Sequence, residues 1–570
     1  MNYRVGLLVL VAFLAGVYVL FQIATRPPQA PDHQVFFNGQ VLTMDGDNTV
    51  TEAISIRGAT VDRVGSSEAI LALVSDDTEV IDLRGRTLLP GFVDAHGHFP
   101  GSGQVVFSAD LNSPPIGDIE SIPQLLDRLR AFGENRPEGW LAGFGYDDTL
   151  LAEGRHPTRE DLDKVSPTRP IAISHISGHL YVVNSAALAE LGIDESTPDP
   201  EGGVIQRDPQ SPDGRRPNGV LEETAARGAM SRMLDIGLMD LLRMTTFAAR
   251  QYLEAGVTTA SAGGMPLSLA KALGPMSQFN VFPQRVALFP LMEELESDLL
   301  EGNWRPEQLA RGRLTLPRVK IIADGSIQGY TGYLSEPYFE PYHGDSSYRG
   351  YPSVLRDDLF RQVAGLHRQK IQYAIHVNGD AAVQDALDAI EAAQGAVPWA
   401  EARPLFIHAQ MSRQDQVQRM AELGVTPSFF SSHTYYWGDR HAAIFMGPER
   451  AANMSPARWA LDAGIRYSSH ADTPVTPMLP LQVVWSQVER RTTGGAILGP
   501  WQRVSRMEAL RAVTIDAAWQ VFLDGSVGSL EAGKLADMVI LSGDPLLAPD
   551  LRQLVVEKTF IGGAQVYSHR

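Results

Sequence analysis

Short apolar runs recur through the middle of this chain at steps of about 30 residues, the length of one strand and its returning helix. They are Val257-Thr258-Thr259, Arg285-Val286-Ala287-Leu288-Phe289, Val319-Lys320-Ile321-Ile322, Tyr373-Ala374-Ile375, Leu405-Phe406-Ile407, Val425-Thr426-Pro427-Ser428-Phe429 and Ile465-Arg466-Tyr467-Ser468. Helical patterns fall between them, for example over residues 381–393 and 413–423. With the run that ends before His96 there are eight strands. Eight strands alternating with helices predict an α/β protein, a (β/α)8 barrel of the TIM type over residues 89–521.

Two stretches break the rhythm. Residues 100–242 are too long for a loop and predict a structured insertion after strand 1 that covers the barrel mouth. Residues 325–351, rich in Gly, Tyr and Pro, read as an active-site loop. Both chain ends have β texture with turn pairs such as Asn38-Gly39 and Asp45-Gly46. Neither end is large enough to bury a core alone. Residues 31–88 and 522–570 are therefore expected to pair into one composite β side domain.

Residues 5–23 form a nearly uncharged apolar run, close to the about 20 residues that span a bilayer. No clear small-x-small cleavage site closes it, so residues 1–30 read as an uncleaved membrane anchor in preference to a signal, whose cleavage would leave the protein secreted. Arg4 would stay cytoplasmic, which puts the body of the chain on the periplasmic or extracellular side. The net charge of −19 argues against nucleic acid or an anionic membrane surface as partner. The absence of cysteine excludes thiolate ligands, disulfides and a cysteine nucleophile.

In such a barrel the chemistry sits at the C-terminal ends of the strands. His96-Gly97-His98 follows the strand Leu88-Leu89-Pro90-Gly91-Phe92-Val93, and two histidines at i and i+2 on a strand face the same way. Lys320, His376, His408 and Asp472 end strands 4, 5, 6 and 8. A lysine buried at a strand end is partly neutral and can capture carbon dioxide as a carbamate; a lysine snorkelling to solvent is the plainer reading. Taken singly, each histidine could be a hydrogen-bonded core residue and Asp472 could shape a turn. Six ligand-type residues at successive strand ends point together to a metal site.

These motifs resemble the amidohydrolase superfamily, in particular the branch that includes N-substituted formamide deformylases. The matching segments are Leu89-Pro90-Gly91-Phe92-Val93-Asp94-Ala95-His96-Gly97-His98, Val319-Lys320-Ile321-Ile322-Ala323-Asp324-Gly325-Ser326, His376-Val377-Asn378-Gly379-Asp380, Ile407-His408-Ala409-Gln410 and Ser469-His470-Ala471-Asp472-Thr473-Pro474-Val475. Gly528-Ser529-Leu530-Glu531-Ala532-Gly533-Lys534 resembles the return into the family's side domain. The resemblance implies that His96, His98, Lys320 and Asp472 hold one divalent metal. Lys320 as a carbamate, His376 and His408 would hold a second, and the choice between one and two ions stays open. Zinc is the expected ion. Water activated by the metal would attack a carbonyl, and Asp472 would take its proton and pass it to the leaving amine.

His179, in the family-like segment Ser177-Gly178-His179, is expected to touch substrate, and Asp324 and His433 to lie beside it. Residues 429–439, rich in aromatic side chains, read as a substrate wall. Asp380 reads as the N-cap of the helix that follows it. Strand 2 ends in Ala260-Ser261-Ala262-Gly263 where many relatives carry aspartate, a departure expected to affect substrate orientation rather than the metal. The expected activity is metal-dependent hydrolysis of a C–N bond in an amide or N-substituted formamide. The competing readings are an ester, lactone or cyclic-amide hydrolase on the same site, and a non-catalytic ligand-binding or regulatory barrel. The expected partners are a small-molecule substrate and, through the anchor, the membrane; homodimerisation is left open.

Overall fold

The computed structural model describes Gly16 and residues 28–569. The anchor expected over residues 5–23 lies outside the described residues, apart from Gly16. Among the described residues no helix is long and apolar enough to cross a membrane.

The barrel strands are β1 (Phe92–Val93), β2 (Val257–Met265), β3 (Arg285–Pro290), β4 (Val319–Ile322), β5 (Tyr373–Val377), β6 (Leu405–His408), β7 (Thr426–Phe429) and β8 (Ser468–Ser469). All pairings within the two barrel sheets are parallel. A strand covered on both faces needs apolar residues throughout, and every residue of β5 and β6 is buried. The sheets join at two seams. A single bridge links Leu291 to Lys320 between β3 and β4. Between β8 and β1 the backbone of Ala512 and Val513 intervenes, its carbonyls accepting from Ser469 and Val93.

The helices turn a narrow face to the barrel. Asp380–Ala396, built from strong helix formers, buries Ala382, Val383, Ala386, Leu387, Ile390 and Ala393, the spacing of one helical stripe. Asp380 is the first residue of this helix rather than its cap, because Gly379 takes that place. Its carboxylate instead accepts from the Ser335 amide at 2.9 Å and from Arg413 at 2.8 Å, fixing the long loop to the barrel rim.

The insertion forms a six-stranded mixed sheet: Gly203–Arg207, Pro217–Glu223, Leu180–Val183, Ile171–His175, Leu141–Tyr146 and Ala109–Asp110, in that spatial order. It has its own apolar core, including Leu125, Leu129, Ile171, Ile173 and Val182.

The side domain takes strands from both ends of the chain. Thr87–Pro90 pairs in parallel with Gln40–Leu42 on one side and antiparallel with Met538–Leu541 on the other. Two residues later the chain enters the barrel as β1.

Candidate metal centre

The strand ends bring the expected ligands to one point. Asp472 is central: its Oδ1 lies 3.1 Å from His98 Nε2 and 3.4 Å from His96 Nε2, and its Oδ2 lies 3.9 Å from His408 Nε2. Lys320 Nζ is 3.1 Å from His96 Nε2. The rings of His376 and His408 meet edge to face with centroids 4.6 Å apart, as neighbouring positions on β5 and β6 require. Ligand atoms of His96, His408 and Asp472 all fall within 4.8 Å of one another. Two ligands sit at left-handed backbone positions, His408 at φ 68° and Asp472 at φ 55°. Such strain is kept where the surroundings fix it, typically at functional sites.

The donor set fits a cation. Asp472 Oδ1, facing His98 Nε2 and His96 Nε2, is sealed from water without a hydrogen-bond partner. Donors on one zinc ion at about 2.0–2.2 Å stand about 3–3.5 Å apart, the spacing of Asp472 Oδ1 from the two strand-1 imidazoles. Burial holds His96, His376 and His408 well below the usual imidazole range, so they are in the neutral, ligating form. Burial opposes ionisation of Asp472, but the imidazoles of His408, His98 and His96 outweigh it and keep the carboxyl well below its ordinary range. Burial lowers the Lys320 amine to about 8 against the pull of Asp472.

A second layer orients these ligands. His98 Nδ1 donates to the Gly263 carbonyl at 2.6 Å, which turns Nε2 toward Asp472. A Cβ on Gly263 would lie 2.2 Å from His96 Cε1. The glycine at the end of strand 2 thus shapes the ligand cage itself, which corrects the expectation that this position concerns substrate alone. His470 Nε2 lies 3.1 Å from His408 Nδ1, and its Nδ1 lies 2.9 Å from Ser428 Oγ. Asp94, whose carboxyl burial lifts to about 7, accepts from the Ser261 amide behind the pair of strand-1 histidines.

The ligands floor a cavity of 330 Å³ lined by Lys320, His376, His408 and Asp472 below and by the insertion above. His179 reaches this cavity as expected: its ring is 5.0 Å from that of His376, and its Nδ1 is 2.9 Å from Glu223 Oε2. Burial disfavours the imidazolium of His179, but Glu223 outweighs it and raises the value. Glu223 was not among the expected site residues. Its signal is weak, a carboxylate at the end of Pro217–Glu223, more than forty residues from its partner.

Other expected contacts are placed elsewhere. The Asp324 carboxylate accepts from the amides of Asn378, Gly379 and Tyr333 and stands 3.4 Å from His376 Nδ1, so it braces β5 instead of lining the cavity. His433 is buried against Phe430 and lies 3.3 Å from His441, behind the cavity. The aromatic wall expected over residues 429–439 is likewise not part of the lining. Nor does the 325–351 loop line it; its tyrosines stack on one another, Tyr330 on Tyr342 at 4.6 Å. The apolar part of the walls is Phe107, Phe144, Met230 and Met233 of the insertion with Met265 and Met292 of the barrel, and Glu223, Arg227 and Glu293 also line the cavity.

The amidohydrolase family model matches residues 79–567. The chain belongs to the amidohydrolase family. This amidohydrolase is 29% identical over 563 residues to an N-substituted formamide deformylase of Arthrobacter pascens, covering 94% of this chain and 98% of the relative. It is similar in structure to an uncharacterized metal-dependent hydrolase of Pyrococcus horikoshii, with TM-score 0.71, 24% identity and 90% and 98% of the two chains covered. The corresponding protein of Pyrococcus furiosus gives TM-score 0.68 and 26% identity over 90% and 100%. The fold is that of the metal-dependent hydrolases, and the amidohydrolase is a metal-dependent hydrolase.

Proposed function

We propose that the protein cleaves the C–N bond of an amide or N-substituted formamide carrying an apolar N-substituent. The observation that carries this is the cavity, which sets an apolar patch of Phe107, Phe144, Met230, Met233, Met265 and Met292 among polar groups such as His179, Glu223 and Arg227 and ends on a compact cluster of Lys320, His376, His408 and Asp472. The deformylase relative supports the same reading.

His96, His98, Lys320 and Asp472 would hold one zinc ion, and Lys320 as a carbamate with His376 and His408 a second. The lowered Lys320 amine supports this, because a neutral amine adds to carbon dioxide with loss of one proton. Such ions, when bound, would supply an acidified water and a polarised carbonyl. Asp472 accepts the proton from the attacking water and returns it to the departing nitrogen, which leaves as an amine. His179, its Nδ1 engaged by Glu223, presents its other nitrogen to the substrate. Phe144, Met230 and Met233 receive the substituent and exclude water. Residues 5–23 tether the enzyme to the membrane with the barrel on the periplasmic side, which fractionation of expressing cells would check.

The test is amine release from a panel of N-alkyl and N-benzyl formamides and acetamides by the zinc-reconstituted enzyme, with matched esters and lactones alongside. Turnover of formamides that is lost in Asp472→Asn supports the assignment. Turnover confined to esters or lactones would transfer the site to C–O chemistry.

A further inference from the structure

The candidate ligand His408 is the rim end of a hydrogen-bond chain that runs down the barrel. The chain passes from His408 Nδ1 to His470 Nε2 at 3.1 Å, and from His470 Nδ1 to Ser428 Oγ at 2.9 Å. Ser428 Oγ lies 2.8 Å from Ser468 Oγ, which in turn bonds Gln520 Oε1. Ser428 and Ser468 belong to β7 and β8, and Gln520 ends the helix Ile515–Gln520. The backbone carbonyl of Gln520 accepts from Arg318 Nε at 3.1 Å and Nη2 at 2.8 Å, one residue before β4 begins. Gln520 thus sits where the strands start, at the far end of the barrel from the ligands.

All five side chains are at most 4% exposed, so they must satisfy one another without water. The direction of the chain follows from Gln520. Its Nε2 is 2.9 Å from the Pro427 carbonyl, which can only accept. It is also 2.6 Å from Thr426 Oγ1, whose own proton goes to the Arg466 carbonyl at 2.5 Å. The amide nitrogen therefore faces β7, and Oε1 is left to Ser468.

An amide oxygen has no proton to give, so the Ser468 hydroxyl donates to it. A hydroxyl has one proton, and the contact between the two serines therefore needs Ser428 as donor. With that proton spent, Ser428 Oγ can only accept, and it accepts from His470 Nδ1–H. A neutral imidazole carries one ring proton, which leaves a lone pair on His470 Nε2. That lone pair accepts from His408 Nδ1–H. His408 Nε2 is thereby bare, and it is the nitrogen that stands 3.9 Å from Asp472 Oδ2.

We propose that Gln520 is a positioning residue for the candidate metal centre. Through Ser468, Ser428 and His470 it fixes the tautomer of His408, so that Nε2 is free for a divalent cation before any cation arrives. This rests on the reading of His408 as a metal ligand. It extends the outer layer that orients a ligating imidazole to a side chain four hydrogen bonds away.

Nitrogen-15 NMR of the full chain, labelled in histidine and stripped of metal by chelator, reads the proton on each ring; His408→Gln and His470→Gln supply the assignments. Protonated Nδ1 on both rings is expected, and a proton on Nε2 of either ring would overturn the proposal. Gln520→Met removes the terminal acceptor and lets the hydroxyls reverse. His408 should then show both tautomers, and zinc affinity by chelator competition should fall about 10–100-fold. Ser468→Ala breaks the same chain with a smaller change and should act in the same direction, which keeps the test open if Gln520→Met does not fold. Wild-type zinc affinity in folded Ser468→Ala would overturn the proposal. A wild type that keeps both Nδ1 protons yet binds no zinc would instead remove the metal reading, and the positioning role with it.

Discussion

His98 and Gly263 are locked across the first two barrel strands: the imidazole Nδ1 donates to the glycine carbonyl at 2.6 Å, and the missing side chain of the glycine leaves room for His96. One small residue thereby sets two ligands.

Gly263→Ala is expected to displace His96, since the new Cβ would stand 2.2 Å from its ring. Overpacking of this kind costs about 1–3 kcal/mol, and disturbed ligand orientation lowers metal affinity about 10–100-fold. Chelator competition on the folded variant reads the affinity, and an unchanged value would contradict the role given to Gly263.

Asp472→Asn should reduce amide turnover by about 100-fold or more, because the residue that moves the proton is lost. Steady-state rates at saturating zinc separate this from weaker metal binding.

Removing metal should lower the melting temperature. A ligand present at about 100 times its Kd contributes about 2.7 kcal/mol, which dialysis against chelator withdraws. Zinc with bicarbonate should restore more stability than zinc alone in the wild type but not in Lys320→Ala, as differential scanning calorimetry would show.

Asp161 gives a pH-dependent contribution in the insertion. It forms a capping box with Thr158 and pairs with Arg155 at 2.7 Å and Lys164 at 2.9 Å. Burial works against it, but these partners lower its carboxyl to about 2. A folded value below the ordinary 3.8 means the stabilisation is present above that pH and lost as pH falls toward 2. With Arg155 and Lys164 about half exposed, the effect is discounted to about 1 kcal/mol. Chemical denaturation of wild type and Asp161→Ala should differ by about that amount at pH 7 and converge near pH 2.

Phe144→Ala should widen the cavity wall and shift preference toward bulkier N-substituents, by about 1–3 kcal/mol in relative kcat/KM. Competition between substrate pairs measures it.

The candidate barrel ligands were legible because His96, His376 and His408 close apolar runs and Lys320 interrupts one, so strand periodicity brings the four to one rim. His470 and Asp472 show where periodicity stops. Two residues apart, they would share a face on a continuing strand, but the left-handed turn at Asp472 separates a ligand from its support. The cavity walls were not legible. Met230 and Met233 approach the metal ligands through the tertiary placement of a whole inserted sheet, and nothing local marks them. The aromatic residues after β7 looked like a wall because they are apolar and near the site in sequence; they are core packing one layer back.

The interleaved side domain imposes an order of events on synthesis. Thr87–Pro90 leads into the first barrel strand, yet one of its two neighbours, Met538–Leu541, follows it only after the whole barrel in the sequence. A nascent chain must therefore carry an unpaired β edge beside His96 and His98 until the barrel and Met538–Leu541 have been made. Such an edge invites wrong partners. Truncation after residue 537 would leave that edge open permanently, so Met538–Leu541 serves as the latch on a ring whose first link was forged at the start.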